Sequence, residues 1–176
     1  EKGFASFRLI VETNGGHSSA PPKDNTIGIL AQAILDLEKN QFPYKLVEPI
    51  NHQIEFIGAE LPLLKKIAFA NPWLFKNPIL KALNAHTTTA PTIITGGVKN
   101  NVIPTIAEAT INFRILPGET IESVKKHIIN TVSDKVRVES VGFLTNPSPV
   151  SSTNSEGFKI LEKTIRGMFP KSIVVP

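Results

Sequence analysis

The sequence predicts an α+β fold of ferredoxin-like type: a split β-α-β arrangement with a four-stranded antiparallel sheet and two helices on one face. Three observations predict it. Residues 105–116 alternate, with Ala107, Ala109, Ile111, Phe113 and Ile115 on one side and Glu108, Thr110, Asn112 and Arg114 on the other. Such alternation marks a strand covered on one face only. Two stretches of helical spacing, near residues 25–39 and 119–131, each stand between strand-like runs. Leaving out residues 50–88, the order of elements is βα–ββ–αβ, which is the order of that fold.

Each element has its own local reason. Residues 4–13 read as a strand with Phe7, Leu9 and Val11 on one face, stopped by the turn signal Asn14-Gly15-Gly16. Residues 17–22 read as a loop, since Pro21 and Pro22 block an early helix. Asp24 or Asn25 can cap a helix to about residue 39, with Ile27, Leu30, Ile34 and Leu37 inward. Residues 89–98 form a strand ending in Gly96-Gly97, and Pro117-Gly118 turns the chain after the strand at 105–116. The helix from Glu119 to Thr131 turns Ile121, Val124, Ile128 and Val132 inward, and residues 135–143 form the last strand.

Residues 50–88 have a different texture and read as a helical insertion. Ile54, Ile57, Leu61, Leu64 and Ile67 suggest a helix interrupted by Pro62. Trp73, Leu74, Ile79, Leu80 and Leu83 suggest shorter ones beyond Asn71-Pro72. Aromatic Phe69, Trp73 and Phe75 lie among Lys65, Lys66 and Lys76, so the segment fits a flap packed on a neighbour or an element lying on a membrane surface. The flap is the expectation, because apolar patches mark contacts. Asn146-Pro147-Ser148-Pro149 reads as a linker. An amphipathic helix follows from Ser155 to Met168 through Phe158, Leu161 and Ile165, and Ile173-Val174-Val175 are expected to start an apolar strand. The resulting division is residues 1–146, with 50–88 inserted, and residues 147–176 as the start of a second domain.

Composition narrows the function. Hydrophobic residues make up 41% and charged residues 19%, which is globular rather than disordered composition. The net charge of +4 comes from scattered Lys and Arg without interleaved aromatics, so nucleic acid is disfavoured as a partner, while a weak positive field suits anionic small molecules. The absence of cysteine excludes disulfides and thiolate metal sites. No run is long enough to span a membrane. With Glu1 first and Met168 the single methionine, the chain is expected to be a piece of a longer parent.

Three short segments carry polar groups where bland residues would serve. Gly15-Gly16-His17-Ser18-Ser19 presents an imidazole on a loop tip, able to donate to a developing oxyanion or to a carboxylate. Asn100-Asn101-Val102-Ile103-Pro104 offers an amide at the entry to a strand. Arg114, on the polar face of that strand, offers a guanidinium with the two-pronged geometry carboxylates favour. Taken singly, each also reads as an ordinary loop or strand-face residue. Asn101 and Arg114 are 13 residues apart, about 40 Å if fully extended, so a ligand, a bend or a twofold partner must unite them. His52, His86 and His127 lack ligand spacing, with His127 expected to face solvent, and no paired carboxylates or phosphate loop appear. Ser18 and Ser19 lack the strand-to-helix elbow of a nucleophile.

These motifs, in this order, together with Thr87-Thr88-Thr89-Ala90-Pro91-Thr92 and Ser148-Pro149-Val150-Ser151, resemble the lid, or dimerisation, domain of the M20 family of zinc metallopeptidases. The likeness is to the Gly-X carboxypeptidase and N-acyl-amino-acid hydrolase branch and covers nearly the whole chain. It implies a parent hydrolase with two zinc ions held in a catalytic domain outside this chain, a homodimer formed through the lid, and a dipeptide or N-acyl amino acid substrate with a free carboxylate. It further implies that His17 reaches the partner subunit's site to polarise the scissile carbonyl, and that Asn101 and Arg114 bind the substrate carboxylate. Residues 147–176 would then be a helix and strand re-entering the catalytic domain, and the isolated chain is expected to hydrolyse nothing. The rival expectation is a non-enzymatic ferredoxin-like module that dimerises or binds a small anion.

Overall fold

A computed structural model of the chain describes residues 1–60, 63, 66, 67, 78 and 80–175. The inserted residues Leu61, Pro62, Leu64, Lys65, Phe69, Asn71, Pro72, Trp73, Leu74, Phe75, Lys76 and Ile79, on which several expectations rest, lie outside the described residues. Two compact units are present: residues 1–43 with 87–148, and residues 44–86 with 149–176.

The first unit is the expected sheet and helix layer. Its long strands are β1 (Gly3–Glu12), β3 (Thr88–Gly96), β5 (Ile106–Ile115) and β6 (Val136–Thr145). They are antiparallel in the order β3-β5-β1-β6. Two further strands of two residues each, β2 (Gly16–His17) and β4 (Val102–Ile103), pair with each other in a separate ladder. Helices α1 (Thr26–Lys39) and α3 (Ile121–Thr131) supply the second layer.

Alternation along the two central strands decides which face is covered. Ala5, Phe7, Leu9 and Val11 of β1 and Ala107, Ala109, Ile111, Phe113 and Ile115 of β5 are all buried. They pack with Leu30, Ala33 and Leu37 of α1 and Val124 and Ile128 of α3. Phe7 and Phe113 meet edge to face at 5.9 Å, and Phe42 meets Phe113 in the same manner at 6.5 Å. The opposite face of the sheet is polar: Arg8 bridges to Glu108 on β5, and Arg137 on β6 pairs with Glu12 and Glu139.

Local chemistry sets the helix ends. Asn25 caps α1, its Oδ1 accepting from the Gly28 N–H at 2.8 Å. Thr120 and Ser123 form a reciprocal capping box on α3. Two expectations need correcting here. The inward face of α1 runs through Thr26, Leu30, Ala33 and Leu37, so Ile27 is 44% exposed and the polar Thr26 takes the buried position. His127 does not stand free in solvent: it is half-buried, its ring lies tilted against Phe42 with centroids 4.2 Å apart, and its Nε2 lies 2.8 Å from the Asn40 carbonyl, because the C-terminal end of α1 packs beside it.

The two outer strands differ. β6 carries Arg137 and Glu139 and kinks at Gly142, where φ is +68°. Charges and kinks of this kind blunt an edge. β3 has no charged residue, and Ile93 and Ile94 are 59% and 62% exposed.

The second unit contains α2 (Glu48–Glu60) and α4 (Glu156–Met168). Ile50, Ile54, Leu80, Ala85 and Val174 are buried, and Phe56 meets Phe158 edge to face at 5.9 Å. The strand expected at residues 173–175 does not form: a strand exists only where a neighbour supplies ladder hydrogen bonds, and none among the described residues does so.

Candidate functional site

At the end of the sheet where β1 stops and β5 starts, two loops are bound to each other. The Thr13 N–H donates to the Thr105 carbonyl at 2.8 Å, Gly16 and His17 pair with Ile103 and Val102, and the Ser18 N–H donates to the Asn101 carbonyl at 3.1 Å. The loop carrying His17 and the loop carrying Asn101 are therefore laced together over six residues. Gly15 makes the approach possible. Its φ is +65°, and a Cβ there would lie 2.8 Å from the Ile103 carbonyl oxygen, a position open to glycine alone without strain.

The imidazole of His17 is exposed and oriented by its own loop. The Ser19 N–H donates to its Nδ1 at 3.3 Å, and Ser19 Oγ lies 2.8 Å from the same nitrogen. An Nδ1 that accepts a backbone N–H carries no proton in the neutral ring, so the proton sits on Nε2. Nε2 has no partner among the described residues and is available as a donor. Asn101 is also exposed. Beside the two loops lies an open cleft of about 660 Å³, lined by Ser18, Asn25, Ile27, Val98, Asn100 and Val102 among others.

Arg114 lies at the other end of β5, opposite Phe4 of β1 and Thr88 of β3. It is exposed, and its guanidinium stacks over the Phe4 ring at 4.8 Å from the centroid. This contact holds the planar cation while leaving its edge free to bind. No carboxylate among the described residues pairs with it. From Ile106 to Arg114 the strand climbs roughly 27 Å at the usual rise per residue. His17 and Asn101 are thus brought together within one chain, and Arg114 is not brought to them.

Among the described residues no group of three or more His, Asp or Glu side chains is placed to hold a metal ion. The described residues offer no donor set for the zinc pair that the resemblance implies. His52 and His86 belong to the second unit, where His86 packs against Tyr44 at 4.5 Å.

Two residues escaped the sequence reading: Thr13 and Thr26, whose hydroxyls lie 2.5 Å apart behind the paired loops. The signal for Thr26 was present. With the helix phased as 26, 30, 33 and 37, a threonine falls among apolar positions, and a buried hydroxyl needs a partner.

The fold is that of a ferredoxin-like α+β domain with two loops laced together at one end of its sheet. Residues 1–139 match the model of the M20 peptidase dimerisation domain, and the chain belongs to that family. It is 40% identical to the probable carboxypeptidase S-like 2 of Dictyostelium discoideum, over all of this chain and 36% of that protein. It is 38% identical to the N-fatty-acyl-amino acid synthase/hydrolase PM20D1 of Homo sapiens, over 97% of this chain and 36% of that protein. The chain thus spans just over a third of the length of these relatives. Among solved structures, an M20 family metallo-carboxypeptidase from Sulfolobus solfataricus superposes with a TM-score of 0.62 at 20% identity, over 99% of this chain and 51% of that one. Human carnosine dipeptidase 1 gives 0.61 at 14%, over 99% of this chain and 43% of that one. At those identities the structural likeness speaks for the fold.

Proposed function

We propose that this chain is the lid and dimerisation domain of an M20 hydrolase that cleaves the amide bond of dipeptides or N-acyl amino acids bearing a free carboxylate. The relatives named a probable carboxypeptidase S-like protein and an N-fatty-acyl-amino acid synthase/hydrolase support that substrate class. In this reading residues 1–146 form the lid, residues 50–88 are inserted in it, and residues 147–176 return to the catalytic domain. The metal ions of the parent are held by segments outside this chain.

One topological observation carries the reading. β3 is an uncharged edge, and its Ile94 lines a groove with Ile27 and Leu30 of α1. An edge of this kind is a template for a second copy, and the twofold solution pairs β3 with itself antiparallel. In β3, Gly96 lies beside Ala107 and Thr88 beside Arg114. Antiparallel pairing therefore sets the His17–Asn101 end of one protomer next to the Arg114 end of the other. The 27 Å gap within a chain becomes a short gap between chains.

The roles follow from chemistry. The guanidinium and the Asn101 amide bind the substrate carboxylate, with charge-assisted hydrogen bonds supplying most of the affinity. Nε2–H of His17 donates to the carbonyl oxygen as negative charge develops on it, which is worth most in the transition state. Closing the lid excludes water and brings these donors to the reacting bond.

Subunit complementation in the parent enzyme tests this. His17→Ala and Arg114→Ala homodimers should each be crippled. Mixed and re-equilibrated, half of the dimers are mixed, and each of those holds one site with both residues intact, so about a quarter of wild-type activity returns. No recovery would place both groups in the same subunit's site, or in neither, and would refute the shared-site reading.

A further inference from the structure

Four groups behind the site form one directed chain of hydrogen bonds. The Gly15 N–H donates to Thr13 Oγ1 at 3.2 Å, the Thr13 and Thr26 hydroxyls are 2.5 Å apart, and Thr26 Oγ1 donates to the Pro104 carbonyl at 2.6 Å. A hydroxyl has one proton. Since that of Thr26 is spent on Pro104, the proton between the two threonines belongs to Thr13, which in turn can accept from Gly15. Every donor and acceptor in the series has a partner in a single direction.

The series links three separate pieces of chain. Gly15 lies two residues before His17. Pro104 lies three residues after Asn101. Thr26 is the first residue of α1, locked by the Asn25 cap and fully buried. The helix is anchored in turn by Leu30, Ala33 and Leu37 in the core. An isolated polar side chain at such a position costs stability unless its hydrogen bonds are complete; here they are complete, and their far ends are the two loops of the site.

From this we infer that Thr26, with Thr13 as its relay, is a positioning residue: it sets the height and spacing of the His17 and Asn101 loops by tying both to the first turn of α1. The inference rests on the reading of His17 and Asn101 given above. Thr26 touches no substrate. It acts through the backbone at Gly15 and Pro104, so it governs how accurately the imidazole is placed.

The first experiment is amide hydrogen exchange on the parent protein, comparing Thr26→Val, which keeps the shape and loses the hydroxyl, with Thr26→Ser, which keeps the hydroxyl. In Thr26→Val the amides of Thr13 and Ser18 should exchange about tenfold faster or more, while those of Phe7 and Ile111 in the core stay within about threefold. Thr26→Ser should restore the loop amides. Thr13→Val provides a second route to the same break should Thr26→Val fail to fold. In the parent enzyme, Thr26→Val should lower kcat about tenfold, and it should have no further effect once His17 is Ala. Loop amides indifferent to Thr26→Val, or a Thr26→Ser variant as impaired as Thr26→Val, or core amides accelerated equally with the loops, would overturn the inference. If instead the exchange pattern appears as expected and His17→Ala leaves kcat unchanged, the tether stands and the proposed role of His17 falls.

Discussion

The two ends of strand β5 are built by opposite rules. At its beginning, two loops are bound backbone to backbone and tethered to a buried threonine, so His17 and Asn101 have a fixed relation to each other. At its end, Arg114 rests on one aromatic ring with its hydrogen-bonding edge free. One end holds an imidazole and an amide on two laced loops, and the other holds a single cation on an aromatic ring. Precise placement matters where charge develops in a transition state, and affinity for a carboxylate tolerates a cation with some freedom. In the roles proposed here, His17 at the rigid end polarises a carbonyl, and the carboxylate is held from both ends, by Asn101 and by Arg114.

Separating the two ends should have the largest effect. Ile93→Lys with Ile94→Lys places two charges on the β3 edge, which natural edges use to prevent pairing. In the parent, sedimentation should show monomers, and kcat/KM should fall by a thousandfold or so, since each site loses either its imidazole or its guanidinium. A monomeric variant with wild-type turnover would mean that the two ends never needed each other. Next comes His17→Ala, expected to lower kcat about a hundredfold or more with KM little changed. Arg114→Ala should act on the other parameter, raising KM about tenfold or more for substrates with a free carboxylate and much less for their amides. Lys at position 114 should rescue only part, because an ammonium lacks the planar fork. If His17→Ala moved KM and Arg114→Ala moved kcat, the two ends would have to exchange roles.

The sequence carried the fold further than it carried the site. Alternation in β1 and β5 and a cap for α1 at Asp24 or Asn25 act locally and were legible residue by residue, whereas the Thr120–Ser123 capping box, which starts α3 at Ile121 and not at Glu119, was not read. The phase of α1 was not legible either, since Ile27 and Thr26 compete for one position and the more apolar residue looked like the buried one. The hydroxyl partners that make Thr26 acceptable inside come from Thr13 and Pro104, the latter 78 residues away. His127 was misread for the same reason: its partners Asn40 and Phe42 are distant in sequence. The three candidate residues, His17, Asn101 and Arg114, were proposed from motif and residue type. Their arrangement could not, because it depends on which loop ends the sheet order brings together.

The smallest expected effect lies at the rigid end. Lys135, just before β6, donates to Asp24, just before α1, at 2.6 Å, and both side chains are about half exposed. The hydrogen bond from Lys135, and then its charge, hold the Asp24 carboxyl below its ordinary range, while Asp24 raises the Lys135 ammonium. A carboxylate whose pKa is lowered by folding contributes stability above the usual carboxylate range and loses it as the pH falls through its folded value. An ammonium whose pKa is raised contributes below the usual lysine range and loses its share as the pH rises through its folded value. Lys135→Ala should therefore shift Tm by no more than about 2 °C, with the difference from wild type constant from about pH 5 to pH 9 and shrinking below about pH 4. Raising the salt concentration should shrink it as well, because the pair is open to solvent. A difference that grew on acidification would show that Lys135 stabilises through some other contact. A large loss of kcat in the parent would show that this exposed pair, and not the buried threonine relay alone, holds the His17 end in place.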